Sequence, residues 1–118
     1  MPGISIHAVD VSRGLLCEGM EIALFALDAA GHPTPIAQGR IGRSGLLENP
    51  ALMKTFAEGR YRAVFQIGKF YKDAQVEMPL VPFLDIVTFD FGIDDPQQHY
   101  HLPMKCTPWG YSCFRGGA

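Results

Sequence analysis

The chain has 118 residues, of which 47% are hydrophobic and 19% charged, a balance typical of one globular domain, 1–118. Ten basic against 12 acidic residues give a net charge of -2. The sequence contains no clustered basic patch of the kind that binds phosphates. This charge distribution excludes nucleic acid as a partner. No apolar run approaches the ~18 residues of a membrane span, which excludes insertion into a membrane.

Three cysteines, Cys17, Cys106 and Cys113, are present at spacings that match no zinc or redox motif. The N-terminal residues lack the basic-then-apolar pattern of a secretory signal. We therefore expect reduced thiols and a cytoplasmic protein.

The first half of the chain predicts strands. Residues 4–10 alternate with period two, which places three apolar side chains on one face and His7 on the other. Residues 20–28 are largely apolar at both odd and even positions, which predicts a strand whose two faces are both covered. Residues 34–41 predict a further strand, whereas residues 50–56 lack a strong helix cap and predict a loop.

The second half continues this pattern with one interruption. Residues 60–67 alternate strongly and predict an antiparallel strand, and residues 84–91 alternate with Val87, Phe89 and Phe91 on the core side. Residues 69–75 lack alternation and contain helix formers, so they predict the one short helix. Seven or eight short strands, with turn signals roughly every 8 to 12 residues, predict an all-β fold, an antiparallel β-sandwich.

The last strand and the hairpin that follows it carry most of the candidate chemistry. His99, His101 and Lys105 share one face of a predicted strand, because successive side chains of a strand point to opposite sides. Cys106 falls on the opposite, apolar face, which favours a core position over a nucleophile. Turn residues then lead into a second extended segment, 111–115, and predict a hairpin.

Polar residues on outward faces or at strand ends are the candidates for a site: His7, Arg40, His99, His101, Lys105 and Arg115. A single outward histidine is usually solvated surface. Two on one face near a third favour a proton-transfer site, because imidazole exchanges protons near neutral pH. A metal site at His99 and His101 lacks a third and fourth ligand, so no metal is expected.

Motifs along nearly the whole chain carry a family resemblance. They are Ile6-His7-Ala8-Val9-Asp10 with Gly14, Gly39-Arg40, Gly59-Arg60-Tyr61, Pro82-Phe83, His99-Tyr100-His101-Leu102-Pro103, Pro108, Gly110-Tyr111-Ser112 and Arg115-Gly116. Together these residues resemble the transthyretin-like family.

The resemblance implies an eight-stranded sandwich with one short helix, assembled as a homotetramer, a dimer of dimers with sites in a central channel. It implies hydrolysis of a small-molecule substrate, 5-hydroxyisourate, by opening of its cyclic amide in purine catabolism, without a cofactor. Carried over position by position, the catalytic residues fall on His7, Arg40 and His101. A non-catalytic transthyretin-like protein that binds a small ligand remains the alternative.

The C-terminal tail departs from the family pattern. Phe114 stands where the family has a tyrosine, Gly117 where it has a serine, and Lys105 where an aliphatic residue is usual. The substrate-binding candidates are therefore Phe114, Arg115 and Lys105. A cation beside His101 would lower the pKa of its imidazole and attract an anionic substrate.

Overall fold

The computed structural model describes residues 2–117, which form eight strands in two four-stranded sheets and thereby confirm the predicted sandwich. The strands are β1 (Gly3–Asp10), β2 (Leu15–Leu16), β3 (Glu21–Leu27), β4 (Pro33–Arg40), β5 (Gly59–Gln66), β6 (Ile86–Ile93), β7 (His99–Cys106) and β8 (Tyr111–Cys113). The helices are α1 (Ile67–Asp73) and a 3-10 helix (Pro50–Met53). Neither is long and apolar enough to cross a membrane.

The first sheet has the strand order β2-β1-β7-β8 and contains one pair that departs from the antiparallel expectation. β1 and β7 run parallel, with Ser5 opposite His101 and His7 opposite Pro103. Parallel neighbours need a long crossover connection, and here the whole second sheet lies between β1 and β7 in sequence. Local alternation carries no information about that direction.

The second sheet has the order β4-β3-β5-β6 and is antiparallel throughout. Two segments that connect the strands differ from the sequence-based predictions. α1 begins at Ile67, two residues before the predicted start, because the buried Ile67 and Tyr71 form its core-facing stripe. The segment predicted as loop begins with the 3-10 helix, where the Asn49 side chain accepts a hydrogen bond from the Ala51 N–H at 2.9 Å.

The core lies between the two sheets and is built from alternate residues of the strands. The buried apolar side chains of β1 and β7 are Ile4, Ile6, Ala8, Tyr100, Leu102, Met104 and Cys106. This confirms the apolar faces predicted for both strands. The opposite faces of β1 and β7, which carry the histidines, point out of the sandwich.

All three cysteines are free thiols. Cys17 and Cys106 are fully buried with their sulfurs 3.7 Å apart, so the prediction of a core position for Cys106 is confirmed. The hydrogen bond to Cys106, aided by burial, raises the pKa of the Cys17 thiol. Burial raises the pKa of Cys113 to about 11. Cys17 and Cys113 are therefore protonated near neutral pH and make poor nucleophiles.

Leu102→Ala is expected to lower the free energy of unfolding by about 2–5 kcal/mol, because it leaves a cavity in a packed core. Leu102 is 1% exposed at the middle of β7. The control, Thr88→Ala on the exposed face of β6, should change the free energy by less than about 0.5 kcal/mol. Urea denaturation at one fixed protein concentration measures both. Equal losses in the two variants would contradict the core position of Leu102.

Candidate functional site

The site begins with the parallel register of β1 and β7, which brings two of the three predicted catalytic residues together. Ser5 lies opposite His101, and His7 is two residues further along β1 on the same outward face. The ring centroids of His7 and His101 are 6.5 Å apart, with their planes inclined by 45°. Both rings are partly exposed, so a small molecule can reach them.

Ser5 is a site residue that the sequence reasoning missed. Its Oγ lies 2.6 Å from Nδ1 of His101 and 2.7 Å from Nε2 of His99, so one hydroxyl bridges two imidazoles. The available signal was the period-two alternation of residues 4–10, which puts Ser5 on the face of His7. Nothing in that alternation indicates which strand lies beside it.

The surroundings of His101 keep its imidazole neutral. Burial, followed by the charges of His7 and His99, lowers the pKa of His101 from its ordinary value near 6.5. A main-chain contact with Ser5 acts in the opposite direction and is the weakest of these influences. Near neutral pH, His101 therefore has a free lone pair and can accept a proton.

A glycine turn holds the ring of His7 from one side. The Ala8 N–H donates to the Gly45 carbonyl at 3.0 Å, and Leu46 forms an isolated bridge with His7. Gly45 has a φ of +87°, and any side chain there would press on the His7 ring. Glycine is needed at this position for both reasons.

The C-terminal tail holds His101 from another side. The Gly116 N–H donates to the His101 carbonyl at 2.7 Å, and a Cβ at Gly116 would lie 2.8 Å from Cδ2 of His101. The Nζ of Lys105 is 5.7 Å from the centre of the Phe114 ring, a cation–π distance. Lys105 points outward like His101, so it lies on the sheet face that carries the imidazoles, with the Phe114 ring beside it.

Arg115, the third substrate-binding candidate, is held by its own chain. Its Nη2 donates to Oε1 of Gln98 at 2.9 Å and to the His99 carbonyl at 3.2 Å. Its guanidinium carbon lies 4.0 Å from the centre of the Tyr100 ring. These contacts fasten the tail to the start of β7 and fix the guanidinium beside His99.

Arg40 lies elsewhere in the molecule. It is the last residue of β4 in the second sheet and pairs with Glu21 of β3. The next residue of β3, Ile22, points into the core, so Glu21 and Arg40 point outward from the second sheet. The core separates them from the histidines, which point outward from the first sheet. Within one chain the structure therefore does not bring Arg40 together with His7 and His101, and its catalytic role at a subunit interface stays a prediction.

No group of three or more histidine, cysteine or acidic residues that could hold a metal ion occurs among residues 2–117. The chemistry available at the site is that of imidazoles, a bridging hydroxyl and cations on the same sheet face. Such a set can take a proton from water and return it. The geometry thus defines the class of a β-sandwich with facing imidazoles on one outward sheet face.

Comparison with known proteins agrees with this class. The sequence model of the HIUase/Transthyretin family matches residues 4–116. The chain therefore belongs to the HIUase/Transthyretin family, and the resemblance inferred from its motifs is confirmed.

Relatives and solved structures extend the match over the full chain. The chain is 34% identical over 117 residues to the 5-hydroxyisourate hydrolase of Ralstonia nicotianae, covering 98% of this chain and 99% of that one. The structure of Klebsiella pneumoniae 5-hydroxyisourate hydrolase has a TM-score of 0.81 at 25% identity, covering 99% and 100%. The structure of (S)-allantoin synthase has a TM-score of 0.87 at 31% identity, but only 43% of that protein is covered against 98% of this chain.

Gly116→Ala is expected to displace either the tail or the His101 ring, because the new Cβ would lie 2.8 Å from Cδ2 of His101 and 3.0 Å from Cγ of Pro103. Gly117→Ala is the matched control, since a Cβ there meets nothing within 4 Å. NMR spectra of the histidine side chains should show the His101 signals shifted in the first variant and unchanged in the second. Identical spectra would contradict the packing of the tail against His101.

Proposed function

We propose that this protein hydrolyses 5-hydroxyisourate, opening its cyclic amide in purine catabolism. The observation that carries the proposal is the pair of imidazoles, His7 and His101, on one outward sheet face at a centroid distance of 6.5 Å. Its support from relatives is that those covering the whole chain are named for this hydrolysis.

The gap between the two rings suits one water molecule. A hydrogen-bonded oxygen lies about 2.7–3.0 Å from each nitrogen, so a centroid separation of 6.5 Å leaves room for it between the rings. His101 takes a proton from this water while His7 orients it, and the resulting hydroxide attacks the ring carbonyl of the substrate. A positioned base of this kind contributes roughly 10²–10⁴-fold to the rate.

The remaining groups act on the substrate in this proposal. Negative charge develops on the carbonyl oxygen as water adds, and Lys105 is a cation on the same sheet face that can stabilise it. Phe114, beside Lys105, offers an apolar surface to the planar ring. Arg115 contributes through the position of the tail. The protonated His101 then returns its proton to the leaving ring nitrogen as the carbon–nitrogen bond breaks.

The proposal includes a homotetramer, a dimer of dimers, whose central channel contains the sites. Its support is the exposure of large apolar side chains, among them Leu16, Leu46 and Phe114, on or beside the face that carries the histidines. We also place the protein in the cytoplasm, where thiols remain reduced. Cys17 and Cys106 support this location, because they are free thiols although their sulfurs lie only 3.7 Å apart.

Mixing the protein with freshly generated 5-hydroxyisourate is expected to accelerate its decay, followed by ultraviolet absorbance against a sample without protein. His101→Asn should lower kcat/KM by about a hundredfold or more, because the water loses its base. Arg40→Ala should lower the rate only if a neighbouring subunit brings Arg40 to the site, since Arg40 lies on the other sheet of its own chain. Binding without accelerated decay would favour the ligand-binding alternative, and loss of rate in Arg40→Ala would require Arg40 at the site.

The rate is expected to depend on pH through His101. Only the neutral ring accepts a proton, so kcat/KM should fall as the pH drops through the pKa of His101. Burial, with His7 and His99, lowers that pKa from 6.5, which places the acid limb below pH 6.5. Measurements between about pH 5 and 8, corrected for spontaneous decay, locate the limb. An acid limb at or above pH 6.5 would exclude His101 as the base.

A further inference from the structure

The hydroxyl of Ser5 sits between two imidazoles that the mechanism above does not connect. Its oxygen is 2.6 Å from Nδ1 of His101 and 2.7 Å from Nε2 of His99, both within hydrogen-bond distance. All three side chains point outward from adjacent strands, with Ser5 directly opposite His101. The Ser5 hydroxyl on this sheet face therefore contacts both imidazoles instead of pointing to solvent.

A serine hydroxyl has one proton, so it donates to one imidazole and accepts from the other. Two arrangements are therefore possible. Either Nδ1 of His101 carries a proton and donates to Ser5, which donates to His99, or the direction is reversed. The Ser5 hydroxyl occupies Nδ1 of His101, so the nitrogen that takes the proton of water in the proposed mechanism is Nε2. Neutral His101 then carries its own proton on Nδ1, which selects the first arrangement.

We propose that Ser5 is a positioning residue that keeps the proton of neutral His101 on Nδ1 and links that ring to His99. The free lone pair of His101 is then on Nε2, the ring nitrogen that faces away from Ser5. The catalytic consequence rests on the proposed function, because it concerns the water that His101 activates. The tautomer and the link to His99 are properties of the folded chain alone.

The link allows positive charge to leave His101 during the reaction. When Nε2 of His101 accepts the proton of water, the Nδ1 proton passes to the Ser5 oxygen while the Ser5 hydroxyl proton passes to Nε2 of His99. His101 is then neutral with its proton on Nε2, Ser5 is unchanged, and the charge is on His99. The reverse movement restores the chain of protons as Nε2 of His101 protonates the leaving nitrogen.

The surroundings of His101 oppose a charge that stays on its ring alone. His101 faces His7 on β1 and is partly buried, and both features oppose a charge on its ring. Lys105, on the same face of β7, adds a like charge further along the strand. His99 lies at the edge of this cluster, where the guanidinium of Arg115, itself a positive charge, contacts its carbonyl group. Sharing the charge over two imidazoles lowers the part of it that rests on His101 beside His7.

Kinetics of Ser5→Ala and Ser5→Thr test the catalytic consequence. Ser5→Ala should lower kcat/KM by about ten- to a hundredfold, the range expected for lost hydrogen bonds to a charged group. It should also move the acid limb of the rate to lower pH, because His101 loses an acceptor that favours its charged form. Ser5→Thr keeps the hydroxyl on a strand and should restore both quantities. Thr88→Ala, on the other sheet, should match the unaltered protein.

The tautomer of His101 tests the proposal independently of activity. Nitrogen-15 chemical shifts of the histidine rings at neutral pH show which nitrogen carries the proton. We expect protonated Nδ1 in the unaltered protein, and loss of that preference in Ser5→Ala. Protonated Nε2 in the unaltered protein would overturn the proposal, as would unchanged kinetics in Ser5→Ala. If the protein does not hydrolyse 5-hydroxyisourate at all, the proposed function fails, and the tautomer alone decides the role of Ser5.

Discussion

Main-chain pairing between β1 and β7 is the constraint on which the site depends. The two strands bury one face each, through residues such as Ile6 and Leu102, and so leave the other face of each outward. A slip of one residue in either strand would turn its buried side chains out to solvent. Because burial fixes the register, it also fixes Ser5 opposite His101. The hydrophobic core and the polar site are thus two faces of the same pairing.

Main-chain segments from distant parts of the chain then restrict where the rings of His7 and His101 can lie. The turn at Gly45 lies against His7, and the tail at Gly116 lies against His101. In both places the absence of a side chain lets the backbone approach an imidazole closely. Rings that are fixed before substrate arrives need little reorganisation during the reaction, which is how a positioned base gains its effect. The site is therefore supported by strands beneath it and by glycines beside it.

The faces of β1 and β7 could be predicted from sequence because burial of one strand face leaves a period-two pattern in a few adjacent residues. The position of Ser5 between His99 and His101 could not be predicted from sequence. It requires two distant strands to pair, since Ser5 is 94 residues from His99 and 96 residues from His101 in the chain. Arg40 was placed at the site by the resemblance of a two-residue motif. The pairing of β4 with β3 places Arg40 in the other sheet, opposite Glu21. Resemblance in a short motif carries no information about which sheet face a residue occupies.

The sequence separation within the site also has a consequence for how the protein is made. Ser5 and His101 are 96 residues apart, so no part of the chain that ends before β7 contains a pair of facing imidazoles. The second sheet is complete in sequence by β6, whereas the partner of β1 is synthesised only afterwards. Closing so long a loop is slow compared with forming hairpins. A growing chain on the ribosome therefore brings its imidazoles together among the last contacts it makes, when β7 completes the first sheet and closes the core.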